Sequence, residues 1–126
     1  MPLRSLLASR ISVATFWAAC ASVATLSLTP VDHLPPQIFD IWDKAQHAAG
    51  FAGLAFLGRL AYPARPQRLG ISLLVYGALI EVAQAATGWR QGDVKDWMAD
   101  AVGVVVGVFL FRLLFRAIQP QSGDAQ

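Results

Sequence analysis

The sequence predicts an all-α membrane protein with four transmembrane helices, short loops and both termini in the cytoplasm. Three observations predict it. Of the 126 residues, 56% are hydrophobic and only 14% are charged, against about 25% charged in a typical soluble domain. A chain this short has too little interior to hide that much apolar surface from water. The apolar residues fall into continuous runs near the length of about 20 residues that a crossing helix needs, with none of the alternation that marks barrel strands. Basic residues gather in alternate connections, which orients such a bundle. The same figures exclude a disordered chain, which combines low hydrophobicity with high net charge. One cysteine excludes an intrachain disulfide framework or a multi-cysteine zinc site. A net charge of +2 is too small for phosphate-backbone binding, so nucleic acid is not an expected partner.

The first span, 11–29, carries no charge and is closed by Pro30. Arg4 and Arg10 ahead of this run resemble a secretory signal, and Trp17 to Cys20 loosely resembles a lipoprotein cleavage box. The run exceeds the usual signal core of about 7 to 15 residues, which favours a retained helix with Cys20 buried in it. The second span, 45–62, holds His47 near its start and Arg59 near its end, and Pro63 and Pro66 stop it. The third, 69–87, is apolar apart from Glu81 and Gln84. The fourth, 97–115, has Asp100 near one end and Arg112 near the other. Residues 119–126 form a polar tail, and the whole chain, 1–126, reads as a single membrane domain.

With both termini inside, Arg4, Arg10, Arg59, Arg65, Arg68, Arg112 and Arg116 lie at the cytoplasmic side, and Lys44, Arg90 and Lys95 lie outside. The acidic residues then gather on the outer side. Asp32, Asp40 and Asp43 fall in the first outer loop, Asp93 and Asp96 in the second, Glu81 and Asp100 in the outer halves of the last two spans, and Asp124 alone inside.

Spacing sorts these groups onto helix faces. Asp43 and His47, four apart, share a face with Phe51 and Leu54, and Glu81 and Gln84 are three apart. Asp96, Asp100, Gly103 and Gly107 follow one another at four, three and four residues. Glycines at four-residue spacing allow close helix approach in lipid, so Gly103 and Gly107 are the expected helix-packing positions and the acids on their face point into the bundle. That face also suits a homodimer. A carboxylate facing hydrocarbon costs a few kcal/mol, so Glu81 and Asp100 are expected inside, paired or protonated. Arg90 is the best forked partner, and His47 is in reach of Asp43, Glu81 or Asp100.

Three separated segments carry a resemblance: DKAQHAAGFAGL (Asp43, Lys44, His47, Phe51, Leu54), EVAQAATGWRQGDVKD (Glu81, Gln84, Arg90, Asp93, Asp96) and DAVGVVVG (Asp100, Gly103, Gly107). In this order, over 43–107, the chain resembles the VanZ-like family of small bacterial membrane proteins. The resemblance implies polar motifs on the outer side of the plasma membrane. It also implies a link to low-level resistance to the glycopeptide teicoplanin, which acts on cell-wall precursors outside the membrane, and no established chemistry. One departure is that the family usually has Asn where this chain has Asp100, whose charge must be neutralised.

Several readings follow for Asp43, Lys44, His47, Glu81, Gln84, Arg90, Asp93, Asp96 and Asp100. They form a ligand site for an envelope lipid, a cell-wall precursor or a glycopeptide-type molecule, with Arg90 as a fork and Lys44 as a point charge on phosphate or carboxylate. Alternatively, His47 is a general base oriented by Asp43 or Glu81, with Arg90 stabilising charge on an envelope phospholipid or precursor. A hard cation on Glu81, Asp96 and Asp100 is a variant of that enzyme. The bland alternative is a structural clasp. No recognised metal-ligand spacing or nucleophile stands in these motifs, so no metal or cofactor is expected. No polar stripe continues inward past Gly103, which leaves no visible transport path. Trp42, Trp89 and Trp97 at the same depth suit an interfacial belt better than ligand stacking.

Overall fold

The computed structural model describes residues 3–30 and 36–118, with side chains described for 5–30 and 41–118. Asp32, Asp124 and the side chains of Arg4 and Asp40 lie outside the described residues. After a 3-10 turn at Leu3–Leu6 come α1 (Arg10–Leu28), α2 (Pro36–Ala61), α3 (Pro66–Thr87) and α4 (Val94–Ile118). Local chemistry sets their ends. Ser9 caps α1, its hydroxyl accepting the Ser12 backbone N–H at 3.1 Å. Pro36 and Pro66 open α2 and α3, where the fixed proline φ suits a first turn. Gly88 ends α3 in the left-handed region at φ 79°, a conformation glycine adopts without a Cβ clash. Asp93 caps α4, with Oδ1 accepting the Lys95 N–H at 2.8 Å.

Two boundaries differ from the sequence expectation. α2 begins at Pro36 and not at 45, so Asp43 lies on a helix and not in the first loop. Asp96 lies in the first turn of α4 and not in the second loop. Hydropathy marks where a segment turns polar, but helical hydrogen bonding continues past that point when the polar side chains find partners, as Asp43, Lys44 and Asp96 do.

Three of the helices, α1, α3 and α4, are long and apolar enough to cross a membrane. α2 is longer still, at 26 residues, but Asp43, Lys44, His47 and Arg59 make it more polar. It also contacts each of the other three helices, and its Asp43 and His47 are buried against protein. The outward faces of α3 and α4 carry exposed Ile71, Val75, Leu79, Val102, Val105 and Phe109, a surface suited to hydrocarbon.

The helices alternate in direction. α1 runs antiparallel to α2, with Phe16 beside Gly58 and Val23 beside Gly50. α1 runs parallel to α3, since the Tyr76 hydroxyl donates to Cys20 O at 2.5 Å and Gln84 Nε2 to Ser27 O at 2.8 Å. α2 and α4 are parallel, from Lys44 beside Asp96 at one end to the Phe56 ring on Phe111 at the other, centroids 5.7 Å apart. Phe16, Cys20, Phe51, Leu54, Leu73, Ile80 and Val104 fill the space between.

The α2–α4 contact is the tightest. A Cβ on Gly103 would collide with the Ala48 carbonyl oxygen, and one on Gly107 with the Ala52 carbonyl oxygen and, at 2.8 Å, the Ala55 side chain. The Gly103 and Gly107 face is therefore filled by α2 of the same chain, and a homodimer through it would have to displace that helix.

Backbone in the way cannot rotate aside as a side chain can. Gly103→Ala and Gly107→Ala are each expected to lower unfolding stability in micelles by about 1–3 kcal/mol, the usual range for overpacking. Gly53→Ala, on the facing helix α2 but with nothing within 4 Å of its added Cβ, is expected to be neutral or stabilising. Denaturant titration of the three variants checks the difference, and equal effects would contradict it.

Candidate functional site

The start of α2, the end of α3, the loop before α4 and the first turns of α4 converge at one end of the bundle. Asp43, His47, Glu81, Gln84, Arg90, Asp96 and Asp100 are all buried there. Each position follows from periodicity. Asp43 and His47 sit one turn apart on the face of α2 that continues into Phe51 and Leu54, and Asp96 and Asp100 sit one turn apart above Gly103.

Three sets of contacts link the helices. Arg90 Nη2 donates to Asp43 Oδ1 at 2.6 Å, joining the α3–α4 loop to α2. Lys44 Nζ lies 3.1 Å from Asp96 Oδ1 and 3.8 Å from Asp93 Oδ2, joining α2 to the start of α4. His47 Nδ1 is 2.7 Å from Asp100 Oδ1 and 3.7 Å from Glu81 Oε1, so three helices meet at one imidazole. Nδ1 is the donor in this contact when Asp100 is ionised. Glu81 is steadied from behind, because its Oε2 accepts the Asp93 N–H at 2.8 Å.

Gly77 makes room for this arrangement. A Cβ there would lie 2.6 Å from Asp100 Oδ2, so only glycine lets α3 pass beside the buried carboxylate. Gly77 was not legible as a site residue, since one glycine in an apolar run carries no motif. Gly92 acts similarly, as its Cβ would come within 2.5 Å of the Glu81 carbonyl oxygen.

Gln84 departs from the rest. It has no exposed surface, and its amide donates to Ser27 O at the end of α1. Trp89 Nε1 donates to the next carbonyl, Leu28 O, at 3.0 Å. The last carbonyls of a helix have no intrahelical donor, so these two side chains cap α1 and bring it to the site, which the three motif segments did not foretell. Among the tryptophans, Trp42 and Trp89 are exposed, whereas Trp97 is half-buried and donates to Leu74 O at 2.9 Å.

The charge balance is acidic. Five carboxylates, Asp43, Glu81, Asp93, Asp96 and Asp100, stand among Lys44, Arg90 and His47. Asp43 has Arg90 and Asp96 has Lys44, but the described ion pairs give Glu81 and Asp100 no cation except His47. Of six buried side-chain atoms without a hydrogen-bond partner among the described residues, five belong here: His47 Nε2, Glu81 Oε1, Gln84 Oε1, Asp100 Oδ2 and Asp96 Oδ1, the last of which faces Lys44. Two overlapping groups, Asp43–His47–Asp96 and His47–Glu81–Asp100, hold ligand atoms within 4.8 Å of one another, close enough for one metal ion.

These features define a multi-pass α-helical membrane protein with a buried ionisable cluster at one end of its bundle. The chain belongs to the VanZ/LLP1 family, whose model matches residues 5–116. The matched region therefore takes in α1, which the motif segments alone did not reach. No curated protein and no solved structure matches the chain.

The Arg90–Asp43 pair makes a quantitative test. Removing one partner of a buried pair strands the other charge at a cost of about 3–5 kcal/mol, here with Asp96 close to Asp43. Arg90→Ala should be destabilised in that range, and adding Asp43→Asn should recover a large part of the loss. A double-mutant cycle on unfolding in micelles measures this, and additive losses would contradict it.

Proposed function

We propose that the chain is a four-span protein of the bacterial plasma membrane, with both termini in the cytoplasm, whose ionisable cluster opens to the outer side. There it binds the polar headgroup of an envelope lipid or lipid-linked cell-wall precursor. The helix directions support the fourth span. α1 and α3 are both membrane-length and run the same way, so the chain must return between them, and α2 is the helix available for that return. The seven arginines assigned to the inner side orient the bundle.

One observation carries the site reading. A clasp selected for stability alone would saturate its buried polar atoms. This cluster instead leaves His47 Nε2, Glu81 Oε1 and Asp100 Oδ2 buried and without a hydrogen-bond partner among the described residues. Lys44 is the partly exposed cation of the cluster and offers the first contact for a headgroup phosphate, with the trio behind it. A glycopeptide-type ligand, as in the resistance link, would meet the same groups.

A second reading, catalysis, is favoured by the His47–Asp100 pair. With Nδ1 donating to Asp100, Nε2 is the free nitrogen of an oriented imidazole, the arrangement of a general base. The envelope phospholipid or precursor would then be substrate, with Arg90 set behind Asp43 as a supporting charge.

Lipid analysis of the protein purified in mild detergent tests the binding reading. Wild type should retain a defined anionic or pyrophosphate-linked lipid, and Lys44→Ala and His47→Ala should lose most of it while remaining monodisperse. The same lipid content in all three would remove the cluster from that role. Turnover of the retained lipid, abolished in His47→Ala, would favour the enzyme.

A further inference from the structure

The geometry points to His47, Glu81 and Asp100 as the ligands of one divalent transition-metal cation. Each residue comes from a different helix, and each is buried. Donor atoms around a cation with ligand distances near those of zinc stand about 3.0–3.4 Å apart. Here Nδ1 of His47 lies 2.7 Å from Asp100 Oδ1 and 3.7 Å from Glu81 Oε1, values that bracket this spacing. All three residues offer ligand atoms within 4.8 Å of one another, so closing them onto one ion takes side-chain shifts on the order of 1 Å.

Charge balance supplies the driving force. With a proton on His47, one positive charge stands between two carboxylates, and the buried trio keeps a net charge of −1. With neutral imidazole and a divalent cation, the sum is zero, in surroundings where uncompensated charge is expensive. The unbonded atoms are a second, independent sign. Glu81 Oε1 and Asp100 Oδ2 lack a hydrogen-bond partner among the described residues, although Asp100 has no exposed surface at all. Glu81 Oε1 is one of the three donors, and Oδ2 is the second carboxylate oxygen of Asp100, whose Oδ1 is the donor facing His47.

The neighbouring group Asp43–His47–Asp96 is the weaker candidate, because Arg90 and Lys44 already neutralise its carboxylates. The chosen trio is also held in place. Asp93 N–H fixes the far oxygen of Glu81, and Gly77 leaves the space that Asp100 Oδ2 occupies. Support of this kind behind a ligand orients it for metal binding.

An imidazole donor with two carboxylates suits zinc, manganese or ferrous iron better than magnesium or calcium, which prefer all-oxygen sets. When the cation replaces the positive charge of a doubly protonated His47, the Nδ1 proton leaves and about one proton is released per cation, so affinity falls as the solution is acidified. Three protein ligands leave at least one position open. In that last step the inference rests on the headgroup reading: the open position would accept a phosphate oxygen, which explains how an acidic cluster holds an anionic headgroup.

The test uses the full chain in micelles, treated with EDTA and dialysed, then titrated with Zn²⁺ and with Mn²⁺. Native mass spectrometry reads the stoichiometry, and calorimetry in two buffers of different ionisation enthalpy reads the proton. The expected result is one cation per chain with proton release, and affinity at least about 100-fold weaker in Glu81→Gln and in Asp100→Asn. Stoichiometric binding by wild type is required whether or not either variant folds. The inference is overturned if wild type binds no stoichiometric cation, if both variants bind as wild type does, or if loss is confined to Asp43→Asn and Asp96→Asn. Lipid is quantified in the same samples. Cation binding with no retained lipid upholds the metal site and removes the headgroup reading, whereas lipid retained by cation-free protein that takes up no metal overturns the metal site alone.

Discussion

Gly103 and Gly107 let the backbone of α4 lie against the carbonyl oxygens of Ala48 and Ala52 in α2, and the other features of the molecule depend on that approach. Hydrocarbon gives helices no hydrophobic reason to associate, so packing at close range has to supply the attraction. With the two axes parallel and near, side chains one turn before the glycines are forced together. Asp100 then meets His47, and Asp96 meets Lys44. The same register carries to the opposite end, where Phe56 stacks edge-on against Phe111 and Arg59 lies over the Phe111 ring at 4.9 Å.

Once α2 and α4 are fixed, electrostatics limits where the remaining helices can go. A carboxylate at membrane depth must be surrounded by protein and compensated. α3 satisfies Asp100 sterically through Gly77 and adds a further acid, Glu81, to the group. The loop after α3 then turns at Gly88 and returns Arg90 to Asp43. The described ion pairs give Asp43 and Asp96 a full cation at the edge of the cluster and leave Glu81 and Asp100 only His47 at its centre. Pairing at the edge and unbonded carboxylate oxygens at the centre, among the described residues, are the observations behind the binding reading.

Much of this was legible in the sequence. Hydropathy located four helical segments, and four-residue spacings placed Asp43 with His47 and Asp96 with Asp100 on inward faces. The glycine spacing identified the packing stripe, although it left open whether a second copy or a neighbouring helix would cover it. Other features were not legible, for physical reasons. The start of α2 was hidden because hydropathy reports the polarity of Asp43 and Lys44 and not their pairing. The choice of Asp100 over Asp43 or Glu81 as the partner of His47 depends on an interhelical register that no local pattern encodes. Gly77 and the Ser27 and Leu28 carbonyls take part through shape and backbone chemistry, which leave no compositional trace. Asp93, counted among the ligand candidates, is engaged in capping α4 and pairing with Lys44.

The central claim is that the acids at the heart of the cluster serve binding at the expense of stability. The unfolding free energy of cation-free Glu81→Gln/Asp100→Asn protein tests it most directly. The double substitution keeps size and hydrogen-bonding oxygens but removes both buried charges, and His47 can then remain neutral. A binding site predicts stability within about 1 kcal/mol of wild type or above it, as for other buried ion groups replaced as a unit. A loss of about 3 kcal/mol or more would contradict the claim and identify the trio as the clasp that holds the helices together.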